Sequence, residues 1–457
     1  MNSNNSTYSI KIVNDINVTV PASFQLMTPY VLREQNDWFE DEIKFIRTFV
    51  KSGMKIIDIG ANYGLYTLTI AKIIGDQGKI WAFEPTTTTA ACLKQSISEN
   101  KFNNIELIQA GLSDRIGKAK LFTTQNSELN SLSNEVSSGN SHETILLFTL
   151  DHCSNEYRWK DIDFIKLDAE GEEINILKKG KKFLSSASPL IMFELKHGKN
   201  INLHLIKTLR NLGYQSYRLI PGLNVLVPFN SEEPFDGFLL NLFCCKQDKS
   251  ILLESTGIIV KEWWKLDYLP NTKVAEDYLS QLPFAKHFKN KIVDNSEASK
   301  NYLGILEAYL LAHSASITIT EKVGYLMTAL SHLRISIKNG EKSTTRLATF
   351  ARIAFDAGER VLGKNILSFL INRHNDNLNF EITEPFLPAS SKYDSINPDN
   401  NIKEWLISSI IEQYIIMHAF STYFTLRKTL PLLEKLSDLG FFDENMKMRK
   451  ELIESYC

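Results

Sequence analysis

The sequence contains little that would place it in a membrane or on nucleic acid. No apolar run approaches the roughly 18 to 20 residues needed to span a bilayer, and residues 1–10 (MNSNNSTYSI) lack the basic flank and apolar core of a secretory signal. The 51 Lys and Arg residues against 53 Asp and Glu give a net charge of −2, which provides no large positive field for a phosphate backbone. We therefore expect a cytoplasmic protein without a membrane span or a nucleic-acid substrate.

Cysteine is scarce and is not arranged for metal or disulfide chemistry. The chain has five cysteines, at positions 92, 153, 244, 245 and 457, and no CxxC pair. Structural zinc sites typically use such closely spaced pairs, and a disulfide framework uses an even number of cysteines. The five residues therefore predict free thiols in a reducing compartment.

The length predicts more than one domain. A single hydrophobic core serves at most roughly 250 to 300 residues, and the chain has 457. Its composition, 43% hydrophobic and 23% charged, is that of a folded globular protein. We expect a strand lead-in at 1–29, an α/β domain at 30–248, a connecting segment at 249–296 and a helical domain at 297–457.

The α/β domain is predicted from alternating strand-like and helix-like segments. After an amphipathic helix at 38–50, short apolar runs appear, and helical segments follow most of them. This alternation is typical of a parallel sheet with helices on both faces. Residues 123–143, rich in Ser and Asn, predict a long loop. The predicted strands are 55–59, 79–84, 105–110, 163–168, 189–194, 214–220 and 238–246.

The C-terminal part is predicted to be helical and repeat-like. Long segments such as 319–338 and 359–373 carry apolar residues at the spacing of one helix face. The segment 342–357 precedes the second of these across a glycine turn, as in stacked helical hairpins, although no clean period of about 34 residues is present. Because this part holds no catalytic constellation, we expect it to bind a partner protein or to mediate homo-oligomerisation.

The strongest chemical signal is the loop Asp58-Ile-Gly60-Ala61-Asn62-Tyr-Gly64, which lies between an apolar strand and a helix. Glycine there lets a cofactor approach the backbone, and a helix N-terminus offers free amide donors. A dinucleotide site requires GxGxxG, whose middle glycine makes room for the pyrophosphate, and here that position is Asn62. The loop thus disfavours NAD and FAD.

A second signal is Glu84, at the end of the next predicted strand in AFEP. A carboxylate at that point can accept hydrogen bonds from both ribose hydroxyls of an adenosine ligand. Dehydrogenases use an acid in the same place. Glu84 therefore supports an adenosine-containing cofactor, but it does not distinguish the cofactor of a dehydrogenase from other cofactors that contain adenosine.

These segments together resemble the FkbM family of methyltransferases from about residue 38 to about residue 227. The motifs, in the family's order and spacing, are IIDIGANYGLYT, WAFEP, AGLSD, TLD at 149–151 and DFIKLDAEGEEINILKKG at 163–180. The resemblance implies a Rossmann-like class I methyltransferase fold. It also implies methyl transfer from S-adenosylmethionine (SAM), most often to a hydroxyl of a sugar or polyketide-type acceptor.

The resemblance also implies a role for individual residues in cofactor binding. It assigns Glu84 to the ribose. Glu40, in the helix before the first predicted strand, is a weaker match to the family's pattern. The remaining assignments place Asp58, Gly60, Ala61, Asn62 and Gly64 against the methionine part of SAM, and Gly111, Leu112 and Ser113 against the adenine.

Methylation of a hydroxyl also needs a group that removes its proton. Asp168 and Glu170 follow the predicted strand 163–168, and His197 follows the strand at 189–194. Ligands of open parallel sheets lie at the carboxyl ends of the strands, so each of the three is a candidate base. Glu170 has the alternative role of an acid that stabilises the start of the next helix.

A metal-assisted mechanism is the alternative to a protein base. Asp168 and Glu194, at the ends of neighbouring predicted strands, resemble the metal-binding acids of catechol O-methyltransferase, and Mg²⁺ held there would lower the pKa of a bound hydroxyl. Only two oxygen ligands are evident, whereas Mg²⁺ takes six, including waters. We therefore expect a metal-free mechanism.

Two functions of other classes remain open at this point. One is a nicotinamide-dependent oxidoreductase, which Asn62 disfavours. The other is a binding or assembly protein whose methyltransferase fold is vestigial, which the intact Asp58, Gly60, Gly64 and Glu84 disfavour. The sequence does not identify the acceptor, which we expect to be a glycan, a sugar or another hydroxylated small molecule.

Overall fold

The computed structural model describes residues 6–122, 142–197, 200–264, 269–270, 273–288, 297–375 and 379–456. It divides the chain into two compact units. The first comprises residues 1–219, 226–234 and 239–259, and the second comprises residues 220–225, 235–238 and 260–457. Most of the predicted loop 123–143 lies outside the described residues.

The first unit is built on one sheet of eight strands. From one edge to the other, the order is β14-β13-β15-β10-β9-β3-β4-β5. The five strands from β10 to β5 run parallel, whereas β15 is antiparallel to both of its neighbours. The strands are β3 (Lys55–Ile59), β4 (Lys79–Phe83), β5 (Ile105–Ile108), β9 (Phe164–Leu167), β10 (Leu190–Glu194), β13 (Gln215–Ile220), β14 (Val225–Pro228) and β15 (Asn241–Cys245).

Three smaller sheets accompany the large one among the described residues. The hairpin β1-β2 turns at Asn14 and Asp15, which both adopt left-handed backbone angles, as a tight hairpin requires. Strands β6, β8 and β7 form a three-stranded sheet, and β11 pairs with β12. Their bounds are β1 (Thr7–Ile12), β2 (Ile16–Pro21), β6 (Gly111–Leu112), β7 (Gly117–Phe122), β8 (His142–Phe148), β11 (Lys196–His197) and β12 (Asn200–Ile201).

Helices follow most strands of the large sheet. Helix α3 begins directly after Gly64, and its apolar sequence LYTLTIAKII is buried along most of its length. The helices of this unit are α1 (Met27–Gln35), α2 (Asp41–Phe49), α3 (Leu65–Ile74), α4 (Thr87–Glu99), α5 (Leu150–Glu156), α6 (Glu173–Lys178), α7 (Lys181–Ser186), α8 (Leu203–Asn211) and α9 (Gln247–Ser255). The predicted α/β class is confirmed, and the predicted boundary at residue 248 falls inside α9.

The strand order places a topological switch point between β3 and β9. From β3 the chain moves outward to β4 and β5, and it then returns to the other side of β3 to form β9 and β10. Open α/β sheets bind ligands in the crevice outside the carboxyl ends of the strands at such a point. The loops after β3 and β9 are therefore the place to look for a site.

The second unit is helical, as predicted. Helix α12 begins at a capping box in which Thr318 and Glu321 bond each other's backbone N–H groups, and α13 is buried over almost its whole length. Its helices are α10 (Val274–Gln281), α11 (Glu297–Ala312), α12 (Ile319–Lys338), α13 (Thr344–Asp356), α14 (Arg360–Arg373), α15 (Ile402–Met417), α16 (Leu430–Asp438) and α17 (Glu444–Tyr456). Within the described parts of both units, no helix is long and apolar enough to cross a membrane.

Candidate active site

The glycine loop, residues 58–64, leaves the end of β3 and packs against the end of β9. Gly60 has φ +78°, and a Cβ built on it would lie 1.8 Å from the backbone oxygen of Asp168. Gly64 has φ +88°, and its Cβ would lie 2.3 Å from a methyl group of Leu93. Both positions therefore favour glycine for their backbone conformation, and Gly60 also requires it because the Asp168 backbone leaves no room for a Cβ.

The backbone N–H groups of the glycine loop are largely occupied. Gly60 and Ala61 donate to the carbonyl oxygen of Phe83, and Gly64 donates to that of Ala61. Asn62, in the left-handed region at φ +50°, donates its N–H to Glu84 Oε2 at 3.0 Å. A pyrophosphate is bound by free N–H groups of such a loop, and these four are not free.

Asp58 is buried near the end of β3, and one of its carboxylate oxygens has no hydrogen-bond partner among the described residues. Its Oδ2 accepts a hydrogen bond from the hydroxyl of Thr67 at 2.5 Å. Its Oδ1 is buried without a hydrogen-bond partner among the described residues. Burial raises the pKa of Asp58, and the ammonium of Lys166 opposes this shift. A buried acceptor without a partner is costly, so Oδ1 suits a ligand that brings a donor, such as an ammonium group.

Glu84 links the glycine loop to the loop after β4. It is 6% exposed, and its two oxygens accept N–H bonds from Thr86 at 2.8 Å and from Asn62 at 3.0 Å. Burial raises the pKa of Glu84 to about 7, and hydrogen bonds from the backbone and the side chain of Thr86 and from the Asn62 N–H oppose the shift. A carboxylate has about four acceptor positions, so one remains for a ribose hydroxyl.

Residues 111–113 lie at the edge of the three-stranded sheet. Leu112 and Ser113 are buried. The Ser113 N–H donates to the carbonyl oxygen of Phe148, and its hydroxyl donates to Glu172 Oε2 at 2.6 Å. Because both donors of Ser113 are used, this segment offers an adjacent base mainly apolar contact through Leu112.

Asp168 forms an ion pair with a buried lysine two residues before it. Lys166 Nζ lies 2.7 Å from Asp168 Oδ2, and the exposed fractions of the two side chains are 7% and 35%. Burial lowers the pKa of Lys166, but the carboxylates of Asp168 and Asp58 raise it by more, so the net shift is upward. Lys166 therefore stays charged, and it holds the one Asp168 oxygen while the side chain remains partly exposed.

The acid turn, residues 168–173, follows β9 and is closed by Glu173. Oε1 of this buried residue accepts the N–H groups of Ala169 at 2.9 Å and Gly171 at 3.2 Å. Glu170 adopts φ +48°, a strained conformation for a residue with a side chain. Burial raises the pKa of Glu170, and the carboxylate of Asp168 raises it further.

Two more acids approach from other elements. Glu194 ends β10, and burial followed by repulsion from Asp168 raises its pKa. Glu40, directly before α2, accepts a hydrogen bond from the hydroxyl of Tyr66 at 2.5 Å. Burial likewise raises the pKa of Glu40. The carboxyl ends of β3, β9 and β10 therefore concentrate carboxyl groups around Lys166.

Comparison with protein-family models matches residues 58–216 to the methyltransferase FkbM domain. The match begins at Asp58 and covers the glycine loop, Glu84, residues 111–113 and the acid turn. The chain carries a methyltransferase FkbM domain. The resemblance predicted from the motifs is confirmed.

Curated and structural relatives match parts of the chain. Over 57 residues the chain is 33% identical to the "Probable cobalt-precorrin-6B C(15)-methyltransferase (decarboxylating)" of Sulfurisphaera tokodaii, covering 12% of this chain and 30% of that protein. The solved methyltransferase FkbM from Methylobacillus flagellatus is 16% identical, with a TM-score of 0.32, and the alignment covers 45% of this chain and 48% of that one. A SAM-dependent O-methyltransferase from Thermotoga maritima is 16% identical, with a TM-score of 0.28, and the alignment covers 45% of this chain and 64% of that one. The fold assignment rests on the strand order described above.

Within the matched domain, two pairs of the predicted site residues are in direct contact. Glu84 contacts Asn62, and Gly60 packs on Asp168. His197 lies in β11, and its side chain is outside what the structure describes. The sequence analysis assigned no role to four further residues of this region, namely Lys166, which opens the motif at the end of β9, and Tyr66, Glu172 and Glu173. A lysine inside the apolar strand FIKL was the available signal, because a buried lysine needs a partner.

No group of three or more His, Cys, Asp or Glu side chains in the described parts of the chain is arranged to hold a metal ion. The two acids considered as Mg²⁺ ligands are Asp168 and Glu194. One Asp168 oxygen already contacts Lys166, so a cation at this place would compete with a buried ammonium for the same carboxylate.

Proposed function

We propose that this chain is a SAM-dependent methyltransferase that methylates a hydroxyl group of a sugar, a glycan or another hydroxylated small molecule. The observation that carries the proposal is the pair of acids at the ends of β3 and β4. Asp58 keeps a buried acceptor oxygen, and Glu84 keeps one acceptor position beside its bonds from the glycine loop and from Thr86. An amino-acid ammonium and a ribose, joined in one ligand, would satisfy both.

The residues present fit this cofactor better than a dinucleotide. The N–H groups of the glycine loop already donate hydrogen bonds within the protein. A pyrophosphate needs such groups to be free, so the loop suits a ligand without a pyrophosphate. We assign the methionine part to Asp58 and the loop 60–64, the ribose to Glu84, and the adenine to residues 111–113. When bound, SAM supplies a methyl carbon on a cationic sulfur, and an acceptor oxygen that attacks this carbon displaces the sulfur as a neutral thioether.

Asp168 is the proton acceptor that we favour. As a hydroxyl oxygen becomes an ether, its proton must leave, and a carboxylate within hydrogen-bond reach can receive it. Asp168 is partly exposed and has one oxygen outside its contact with Lys166. The raised pKa values of Glu170 and Glu194 favour their protonated forms, which cannot accept a proton. His197 is kept as the second candidate base.

We favour a metal-free reaction, because Lys166 already neutralises the acid that a metal would need.

For the helical unit, we propose that it binds a partner protein or a second copy of the chain. Light scattering on the purified protein separates these two roles, since only the second gives a mass above that of one chain at micromolar concentration.

The test of the proposed function is methyl transfer to defined acceptors. The protein is incubated with SAM carrying a labelled methyl group and a panel of sugars and glycans, and a matched panel in which the hydroxyls are blocked serves as the control. We expect label in the free-hydroxyl panel only, and loss of that label in Asp168→Asn with binding of S-adenosylhomocysteine (SAH) retained. Label in the blocked panel would contradict hydroxyl methylation. Full activity of Asp168→Asn would remove it as the base.

A further inference from the structure

Lys166 is a buried cation that interacts with acids from three parts of the chain, namely Asp58 on β3, Asp168 in the acid turn and Glu40 before α2. It is the third residue of β9, in the sequence FIKL, and the other three residues of that strand are apolar and buried. Moving a lysine out of water costs free energy unless it is paired. A role for Lys166 beyond packing would explain why the strand keeps it.

The Lys166 ammonium joins the two loops of the proposed site. It lies 2.7 Å from Asp168 Oδ2 and 3.4 Å from the carbonyl oxygen of Gly60. It also lies 5.3 Å from the ring centre of Tyr66, whose hydroxyl bonds Glu40. The first contact belongs to the acid turn and the second to the glycine loop.

Backbone contacts make these two loops one packed body. The Asp168 N–H donates to the carbonyl oxygen of Ile59 at 3.2 Å. Gly60 lies so close to the Asp168 carbonyl that no side chain fits between them. Lys166 sits at this junction, where a single ammonium can hold the orientation of both the Gly60 carbonyl and the Asp168 carboxylate.

The charge of Lys166 also balances the carboxylates around it. Asp58 and Asp168 both stabilise the ammonium, and Glu40 faces it from the segment before α2. Removal of the ammonium would leave these acids facing one another in a site that is partly shielded from solvent. The local potential would then become more negative, which favours a cationic ligand over a neutral one of the same shape.

We propose that Lys166 is a positioning residue, which fixes the Asp168 carboxylate against the glycine loop and sets the electrostatic balance between the cationic cofactor SAM and the neutral thioether product SAH. This inference rests on the proposed function and assigns a part of it to a residue outside the predicted set. Lys166 acts through Asp168 and Gly60 and need not touch the acceptor.

The test compares the affinities of SAM and SAH for the full-length protein by isothermal titration calorimetry. Lys166→Met removes the charge and keeps the length of the side chain. Lys55→Met, at the opposite end of neighbouring β3, is the matched control. We expect Lys166→Met to weaken SAH binding about tenfold or more and SAM binding by clearly less, so that the ratio of the two dissociation constants changes. The control should bind both ligands like the wild type.

The other outcomes are distinguishable. Equal weakening of both ligands, or unchanged affinities, would overturn the proposal, because a merely structural role does not discriminate the sulfonium from the thioether. Lys166→Arg keeps the charge and is the second variant, to be measured also if Lys166→Met does not fold. It should retain the wild-type ratio of the SAM and SAH dissociation constants. A changed ratio in Lys166→Arg would contradict the charge argument. Absence of SAH binding by the wild type would refute the proposed function itself.

Discussion

The role of Glu84 gives the sharpest prediction, because both of its carboxylate oxygens already have defined partners. Glu84→Gln keeps the size of the side chain but removes the charge, and its amide nitrogen can no longer accept one of the two N–H bonds from Asn62 and Thr86. A hydrogen bond to a charged group contributes roughly 1.5 to 3 kcal/mol. We therefore expect the affinity for SAH to fall between about tenfold and about 150-fold.

The pKa of Glu84 adds a second signature to the same experiment. With a pKa of about 7 in the ligand-free protein, about half of the molecules carry a proton on Glu84 at pH 7. A ribose that binds the carboxylate form would release about half a proton per ligand at pH 7, and almost none at pH 9. Glu84→Gln should abolish this release.

The raised pKa of Glu84 also determines whether its contribution to folding stability rises or falls with pH. The pKa of Glu84 rises from 4.5 to about 7 on folding, so the folded state binds the proton more tightly than the unfolded state does. Its contribution to stability is complete below pH 4.5, declines as the pH rises through 7, and amounts to at most about 3 kcal/mol. Ligand-free Glu84→Gln should therefore lose less stability than the wild type between pH 5 and pH 8.

Calorimetry in buffers of different ionisation enthalpy measures both the affinity and the proton release, and denaturant titrations at pH 5 and pH 8 measure the stability. Glu106→Gln on β5, whose side chain is partly exposed beside Lys79, is the matched control and should bind SAH like the wild type. Unchanged SAH affinity in Glu84→Gln would refute its assignment to the ribose. Equal proton release by the wild type and the variant would refute the pKa argument.

Two further predictions concern the fold around the site. Gly60→Ala should lower the melting temperature and weaken SAH binding, because its Cβ meets the Asp168 carbonyl and its φ is positive; a melting curve and SAH affinity like those of the wild type would contradict this packing. Burial raises the pKa of Glu42 from 4.5, so Glu42→Gln should stabilise the ligand-free protein more at pH 8.5 than at pH 5. An equal shift of the denaturation midpoint at both pH values would contradict that account.

The sequence predicted the framework of the α/β unit well because its strands are short, apolar and β-branched. The run KIIDI forms β3 with the predicted bounds, and its residues Ile56 and Ile57 are fully buried, as its continuous apolar pattern predicts. The antiparallel direction of β15 was not predicted. The apolar pattern of a strand does not record its direction, which is set by the connection that precedes it.

The identities of the site residues were easier to predict than their partners. The motif around Gly60 predicts that a cofactor approaches the backbone there, whereas the structure places the backbone of Asp168 against Gly60. The contact of Ser113 with Glu172 spans 59 positions, and such long-range pairs follow from the return of the chain to β9, which no local pattern encodes.

The helical unit illustrates the limit of periodicity. The predicted segment 319–338 is helix α12 with the same bounds, because a capping box marks its start. Residues 401–424 also carry helical apolar spacing, but their helix α15 ends at Met417. The residues after Met417 include short 3₁₀ turns at 422–424 and 426–428, where apolar spacing continues without an α-helix.

The central claim, that the acids after β3 and β4 bind the adenosine and amino-acid parts of SAM, is tested most directly by the thermal stability of the full-length protein with SAH and, separately, with NAD. A ligand at about 100 times its dissociation constant stabilises the folded state by about 2.7 kcal/mol. The account predicts a rise in melting temperature with SAH at a concentration where NAD gives none. A rise with NAD and none with SAH would contradict it.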